Sequence, residues 1–542
     1  MKTVDQISSD KLRGGFYSPP KLVRACLDRV VALSADRSGL KLLEPSAGDG
    51  AFLRGLAEHR LAFQVDSITA VEINNKEAVK CEQSLSIAPF NGTVIAGSVL
   101  NGVRPMLGTY DIAVGNPPFV RFQFLTEEDR IGAIDVAKDA GLTLAGVSNL
   151  WIPVLFSALT RLNDGGAFAF IVPAECFTGI SARSVRTWLI QNVSQLQADL
   201  FPPGSFPSVL QEVVVLSGTV NRDDSRRQAT SLTVVEHVSD EPLSWNHVIE
   251  EAAPTWTRYL LTPAELDALN ELKALPTFHP VSEVARLSVS TVTGANEYFS
   301  VDDRMRAEYG LEVWSLPMLA RIRQAAGLIF EESDHNSLAE IDCPRWLVSF
   351  AADSPSPLST PRSRRYLQVG ESNGLPDRYK CRIRDPWYRV PVVQPGVLLL
   401  SKRSHKFPRL VLNAARVVTT DTIYQGKMLG PFDGCEGDLV AGFHNTATLL
   451  TAEIEGRSFG GGVLELVPTE IGRLSVPMLK GFRSNLAYLD ETARTVGFDS
   501  DALIERTDEL LAADVPGLRS DLLGVLRTAR VSLMQRRLDR NS

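Results

Sequence analysis

Long apolar runs are missing from this sequence. No stretch of about 18 consecutive apolar residues occurs in its 542 positions, so no helix of ordinary composition can span a bilayer. The opening residues, Met1-Lys2-Thr3-Val4-Asp5, carry no apolar signal region, and a cytoplasmic protein is expected. Cysteine is scarce. The six (Cys26, Cys81, Cys176, Cys343, Cys381, Cys435) are scattered and form no Cys-x-x-Cys pair, which argues against a disulfide framework and a thiolate metal site. The expectation is a reduced protein without metal. Internal repeats and low-complexity segments are absent as well. Strong charge of one sign is also lacking: 56 Lys and Arg face 64 Asp and Glu, a net charge of −8. That argues mildly against a polyanionic partner, although distribution matters more than the sum. Hydrophobic content of 44% and charged content of 22% are ordinary for a soluble globular chain, and the length suits two to four domains.

What is present begins with Asn116-Pro117-Pro118-Phe119, after the apolar run Asp111-Ile112-Ala113-Val114-Gly115. The run reads as a buried strand ending in a turn. An amide side chain beside a proline-fixed backbone offers two hydrogen-bond acceptors pointing one way. That suits a planar amine whose lone pair is delocalised, such as the exocyclic amine of adenine. The aromatic ring offers a stacking face for a base taken out of a helix. Alone, the tetrapeptide also fits a plain Pro-Pro loop.

Upstream, Leu42-Leu43-Glu44-Pro45-Ser46-Ala47-Gly48-Asp49-Gly50-Ala51-Phe52-Leu53 reads as strand, glycine turn and helix start. It is not the G-x-G-x-x-G fingerprint. A second apolar strand, Ile68-Thr69-Ala70-Val71-Glu72-Ile73, places Glu72 22 residues after Gly50, close to the spacing at which an acid meets ribose hydroxyls. A third, Thr93-Val94-Ile95-Ala96, ends at Gly97-Ser98-Val99-Leu100. Successive strands ending in such residues imply a pocket along the carboxyl edge of a parallel sheet.

These segments, in this order, resemble a class I S-adenosylmethionine-dependent methyltransferase, and specifically an N6-adenine DNA methyltransferase of the TaqI-like restriction-modification type. The resemblance implies an α/β fold: a Rossmann-like sheet with helices on both faces, then a mixed, β-rich C-terminal recognition domain and a helical tail. It also implies the cofactor, S-adenosyl-L-methionine. Phe16-Tyr17-Ser18-Pro19-Pro20 resembles the segment that lies over the methionine end. Tyr17, Ser18, Glu44, Pro45, Ala47, Gly48, Glu72, Ile73, Ser98, Val99 and Asn116 are the implied cofactor residues, with Glu72 on the ribose and Val99 beside the adenine ring. Asn116, Pro117, Pro118 and Phe119 are the implied catalytic set. Phe119 and Phe206 would stack the flipped base, with Phe201 competing for the second role.

Two departures stand out. The family often has Asp where Ser98 stands, and Tyr where Phe119 stands. Ser98 accepts a hydrogen bond less strongly, whereas Phe119 keeps the stacking face. Gly165 to Pro173 resembles the fifth strand, and Phe201 to Leu216 the terminal hairpin. Cys176 is no cytosine-C5 nucleophile by pattern, because no Pro-Cys dipeptide occurs; a buried core thiol is expected.

Between Arg378 and Arg409 nine Lys or Arg face one acid, Asp385, with Tyr379, Trp387, Tyr388 and Phe407 interleaved. Lys380, Arg382, Arg384, Lys402 and Arg403 are the candidate contacts to double-stranded DNA. A solvated face is the bland alternative. The signals divide the chain into a catalytic domain (1–225), a connector (226–275), a target-recognition domain (276–480) and a helical tail (481–542). The expected function is site-specific adenine methylation in a restriction-modification system, with a cognate endonuclease as a partner and no membrane association. Release-factor glutamine methyltransferases share the tetrapeptide but lack a large C-terminal region. An RNA adenine methyltransferase and a non-catalytic DNA-binding relic remain the alternatives.

Overall fold

The computed structural model describes residues 17–35, 37–142, 149–179, 182–202, 204–206, 212–222, 231–238, 241–341, 343–351, 354–459 and 461–539. Phe16, Pro207, the 223–227 segment, Gly460 and Arg540 lie outside them. The chain divides into two compact units, Met1–Pro263 with Leu538–Ser542, and Ala264–Arg537.

The first unit is built on one nine-stranded sheet. Its strands are β1 (Leu40–Glu44), β2 (Val65–Glu72), β3 (Asn91–Ala96), β4 (Tyr110–Gly115), β5 (Leu162–Pro173), β6 (Val193–Leu200), β7 (Val213–Val220), β8 (Ser231–Glu236) and β9 (Leu243–Val248), in the spatial order β3-β2-β1-β4-β5-β7-β6-β8-β9. β1 to β5 run parallel, and β7 enters antiparallel between β5 and β6. This is the class I methyltransferase sheet. The central strands β1, β4, β5 and β7 are apolar because both faces are covered, whereas the edge strands β3 and β9 are largely exposed. Along β5, Ala167, Ala169 and Ile171 join one core cluster, and Phe168, Phe170 and Val172 join the other. Helices α1 (Pro20–Ser34), α2 (Ala51–Ala57) and α3 (Asn75–Ser86) contribute Leu22, Phe52 and Cys81 to the first cluster. Helices α4 (Glu127–Asp139) and α5 (Trp151–Leu159) contribute Val136 and Trp151 to the second. Strand order reverses at β1, so a crevice opens at the carboxyl ends of β1 and β4.

The terminal hairpin consists of β6 and β7, with residues 201–212 as its connection, so Phe201 and Phe206 lie in the connection and not on a strand. Residues 231–248 continue the sheet: β8 pairs parallel with β6, and β9 pairs with β8. The exposed edge of β6 supplies the physical reason, since its unpaired backbone groups need a neighbour.

The second unit holds a five-stranded sheet, in the order Ala285–Val289, Ile423–Met428, Leu398–Ser401, Leu410–Asn413, Ile329–Phe330. A four-stranded sheet (Ser300–Val301, Trp346–Val348, Ser315–Leu319, Val418–Thr419) and a three-stranded one (Arg403–Ser404, Val463–Glu465, Arg457–Phe459) accompany it. Helices Leu486–Val496, Asp501–Asp514 and Ser520–Leu538 follow. Buried and half-buried pairs fasten them to the helices Glu332–Ser337 and Thr446–Glu455. Arg494 bonds Asp334 at 2.6 Å, Asp508 accepts from Thr446 Oγ1 at 2.6 Å, and Arg537 bonds Glu453 at 2.7 Å. Among the described residues no helix is long and apolar enough to cross a membrane.

Candidate active site

The turn after β1 is shaped by two left-handed glycines, Gly48 (φ 56°) and Gly50 (φ 84°), a region that other residues enter at a cost. A side chain at Gly50 would press on Ser84 Cβ at 3.0 Å, whereas Gly48 has open space where its Cβ would stand. Backbone can therefore approach a ligand at Gly48. The Gly48 N–H donates to Glu72 Oε2 at 2.8 Å, and the Asn74 N–H to Oε1 at 2.7 Å. Glu72 thus ties the glycine turn to the end of β2. A carboxylate has about four acceptor positions, so these two bonds do not by themselves saturate it. Ile73, next along, is exposed and offers an apolar face beside that acid.

Glu44 ends β1 and is only 1% exposed, and its Oε2 has no hydrogen-bond partner among the described residues. Burial raises its carboxyl well above the usual range, and the neighbouring charges of Glu72 and Asp49 raise it further; Arg54 opposes them. Arg54 itself is paired with Asp49 at 2.8 Å. A buried carboxylate oxygen without a partner normally costs about 1–3 kcal/mol or more. Here it lies in a place of excess negative potential, which a cationic ligand would relieve. S-adenosylmethionine, with its sulfonium and ammonium groups, fits that requirement.

Asn116 follows β4 and is held twice. Its Nδ2 donates to Ser18 Oγ at 3.2 Å, and its backbone carbonyl accepts from Ser46 Oγ at 3.2 Å. The first bond joins the segment before α1 to the tetrapeptide; the second joins it to the glycine turn. One amide hydrogen is thereby engaged, and the Oδ1 acceptor has no hydrogen-bond partner among the described residues. Pro117 is buried, and Pro118 and Phe119 are half-buried. Phe119 packs against both core clusters, which fixes the ring at the sheet's edge. Tyr17 is placed differently from Ser18: it is exposed, and its hydroxyl lies 3.4 Å from Glu77 on α3. Pro45 and Ala47 are buried beneath the turn, with the Ala47 N–H donating to the Val71 carbonyl at 2.8 Å.

At the end of β3 the structure adds a residue that sequence reading missed. Ser98 Oγ donates to Asp129 Oδ1 at 3.1 Å, and Asn101 Nδ2 donates to the same oxygen at 3.0 Å. Thr126 Oγ1 donates to Oδ2 at 2.9 Å. Asp129 sits in the first turn of α4, where a negative charge also suits the helix dipole. An acid 31 residues downstream thus stands beside position 98, where the sequence has none. The available signal was Thr126-Glu127-Glu128-Asp129, a helix-start pattern that points to capping and not to a ligand. Val99, beside it, is buried in the core.

Phe206 is buried in the cluster against which Phe119 packs, and Phe201 stacks on His237 at 4.6 Å between ring centroids. His237 in turn contacts Asp199, which also pairs with Arg29. Cys176 is buried, and burial pushes its thiol up, so it is poorly suited to act as a nucleophile.

The basic run of the second unit separates into two parts. Lys380 and Arg382 lie exposed on the short helix Tyr379–Arg382. Arg384 is engaged by backbone, donating to the Val292 and Thr293 carbonyls at 2.6 Å each, and burial lowers its pKa. Lys402 is half-buried, and Arg403 pairs with Glu465 at 2.8 Å. Lys406 and Arg409 both bond Asp499, and Phe407 is buried. Spacing alone cannot separate exposed cations from those that hold a fold together.

A class I sheet with an acidic, glycine-turned crevice and an Asn-Pro-Pro-aromatic edge defines a methyltransferase architecture. Comparison with known proteins agrees. Residues 68–201 match the Eco57I restriction-modification methylase model, and residues 253–512 match the C-terminal domain of the type II methyltransferase M.Eco57I; together these take in more than half of the chain. The type II methyltransferase M.AccI of Acinetobacter calcoaceticus is 23% identical over 469 residues, covering 83% of this chain and 82% of its own. M.XamI of Xanthomonas campestris pv. amaranthicola is 22% identical over 494 residues, covering 87% and 86%. The cryo-EM structure of a DrdV–DNA complex superposes with a TM-score of 0.50 at 11% identity, over 90% of this chain and 58% of that one, a likeness of fold. The chain belongs to the type II restriction-modification methyltransferases.

Proposed function

We propose that this chain is a site-specific DNA methyltransferase acting on N6 of an adenine flipped out of duplex DNA, as the modification component of a restriction-modification system. The observation that carries the reading is the Asn116 amide at the carboxyl end of β4, whose Nδ2 donates to Ser18 Oγ while its Oδ1 has no hydrogen-bond partner among the described residues. Support also comes from the relatives, which are named as type II methyltransferases.

In this mechanism Asn116 Oδ1 and the Pro117 carbonyl each accept one N–H of the adenine amine. Two acceptors draw the lone pair out of the ring and onto nitrogen. Phe119 stacks the extruded base, contributing ~1–3 kcal/mol against an unstacking cost of roughly a few kcal/mol. Ser18 and Ser46 keep the acceptors aimed, so catalysis rests on positioning. S-adenosylmethionine, when bound, supplies an activated methyl group. Glu44 would hold its cationic end, Glu72 its ribose hydroxyls, Ile73 and Val99 the faces of its adenine, and Ser98 its amine. Water takes the released proton, so no general base is assigned. Residues 276–480 read the target sequence, with Lys380 and Arg382 among the contacts. An endonuclease of the same site specificity is the implied partner in the cell, and the nucleoid the implied location.

The test is direct: purified chain with radiolabelled S-adenosylmethionine and either duplex DNA or RNA, followed by nucleoside analysis. N6-methyldeoxyadenosine is expected. Label in RNA alone would favour the ribose-bearing substrate that the same acceptor geometry can serve.

Two predictions concern the cofactor. The raised Glu44 carboxyl means that the ligand-free fold holds a proton which the unfolded chain gives up. Its contribution to stability is therefore full at low pH and falls as pH rises through the folded pKa, which lies above the ordinary 4.5. A bound cation favours the ionised form, so binding releases a proton. Calorimetry in buffers of different ionisation enthalpy should show this release with the wild type and its loss in Glu44→Gln. Equal proton release in the two would remove Glu44 from the site.

Asp129 orients the Ser98 hydroxyl, so the two act as a unit. Ser98→Ala and Asp129→Ala should each weaken cofactor binding by about 1 kcal/mol, and the double variant should cost little more than either single one. Wild-type affinity in Asp129→Ala would show that Asp129 serves only α4, and full additivity of two losses that the pair does not act as a unit.

A further inference from the structure

The short helix Tyr379–Arg382 carries two large apolar side chains into solvent. Tyr379 is 64% exposed, and Ile383, its C-cap, is 62% exposed. Four positions apart, they share one side of the turn. Around them Arg378, Lys380, Arg382 and Arg389 are exposed, against the acids Asp377 and Asp385. Arg378, Lys380 and Arg382 have no ion-pair partner among the described residues. The Lys380 ammonium lies 5.4 Å from the Tyr379 ring centre.

The base beneath this tip is rigid. Cys381 and Leu375 are buried in a cluster with Ala295, Phe299 and Val390. Gly294, at φ 81°, comes so close that a Cβ there would stand 2.7 Å from Lys380 Cβ. Arg384 closes the same turn through the Val292 and Thr293 carbonyls. Asn296 extends the brace to Asp421 at 2.9 Å. Exposed apolar groups on a floppy loop would collapse onto nearby surface. Here the packing of Cys381 and Gly294 holds them out.

We infer that Tyr379 and Ile383 form a wedge that enters a groove of duplex DNA and unstacks a base step, while Arg378, Lys380 and Arg382 hold the flanking phosphates. This rests on the DNA reading given above. Charge complementarity selects the occupant, because an apolar pair rimmed by unpaired cations suits stacked bases between phosphates. An acidic protein surface would be the other occupant of such chemistry.

The test uses the full chain and a duplex bearing the motif at which the chain methylates DNA, with 2-aminopurine at successive positions outside the target base. Binding is followed by anisotropy over a range of salt. Tyr379→Ser/Ile383→Ser should weaken binding at least tenfold with an unchanged log–log salt slope, and should abolish a 2-aminopurine rise seen with wild type. Lys380→Ala/Arg382→Ala should lower the slope by about 0.9 for each phosphate the variant no longer neutralises. Tyr379→Phe should behave as wild type. Unchanged S-adenosylmethionine affinity, and unfolding of the second unit as in wild type, establish that the variants are folded. Wild-type affinity and a wild-type 2-aminopurine signal in the serine pair would overturn the wedge while leaving the DNA reading intact. A wild-type chain that binds no duplex at all would overturn both.

Discussion

Asn116→Ala should lower methyl-transfer turnover by about 10²–10³-fold, the loss seen when one pre-aimed polar partner is removed from a reacting group, while S-adenosylmethionine affinity stays within about threefold. The reason is local. Asn116 sits at the carboxyl end of β4, with its amide donor on Ser18 and its carbonyl on Ser46. The side chain is therefore a fixed acceptor and not a mobile one. Alanine removes one of two acceptors for the amine and leaves the glycine turn, Glu44 and Glu72 untouched. Ser18→Ala should show a smaller defect of the same kind, about tenfold, because the amide can then turn its donor toward the substrate. Single-turnover kinetics paired with calorimetry separates the two effects. An Asn116→Ala enzyme that turns over at the wild-type rate would mean that the amine is held elsewhere.

The second large effect concerns stability. Arg537→Ala should destabilise the second unit by about 3–5 kcal/mol, since truncating one partner strands a buried charge. Arg537 bonds Glu453 through two nitrogens, at 2.7 and 2.9 Å, and also donates to the carbonyls of His405, Lys406 and Gly462. Both partners are buried. The last helix is thereby fastened to the turn that carries Lys406 and to the helix that carries Glu453. Urea unfolding measures the loss. Arg537→Met with Glu453→Leu should recover most of it, because the stranded carboxylate is gone. A destabilisation below about 1 kcal/mol would show that the pair is solvated and the tail only loosely attached.

The catalytic fold was legible because its signals are local. Buried parallel strands read as apolar runs, and each ends in a residue whose type has a chemical reason: Glu44, Glu72 and Asn116. The glycine turn was legible because only glycine enters the left-handed region cheaply. Asp129 was not, since the link between Ser98 and α4 depends on how a helix packs and no spacing rule reports it. The helices Glu436–Phe443 and Thr446–Glu455 were not read either. Every residue of the second is buried, so it has no polar face and no helical period to find. The tail was legible as helix from the spacing of Leu503, Thr507, Leu510 and Leu511, then Leu522, Leu523, Leu526 and Val531; all are buried except Leu510, which is half-buried, and Val531, which is exposed. Its attachment rests on Arg494, Asp508 and Arg537, which composition presents as ordinary surface charges.

The basic run shows the same limit. Nine cations in 32 residues suggest a polyanion site, yet Arg384, Arg403, Lys406 and Arg409 are engaged by carbonyls or acids of the fold. The helix Tyr379–Arg382 remains as an exposed cationic surface. Charge counting gives the sign of a surface, and packing decides which charges are on it.

The central claim is that Asn116 presents an adenine amine of DNA for methylation. Sequencing with detection of modified bases, on DNA from cells expressing either the wild-type chain or Asn116→Ala, tests it most directly. The account predicts N6-methyladenine at one recurring motif with the wild type and none at that motif with the variant. Modified cytosine, or adenine methylation that survives in Asn116→Ala, would contradict it.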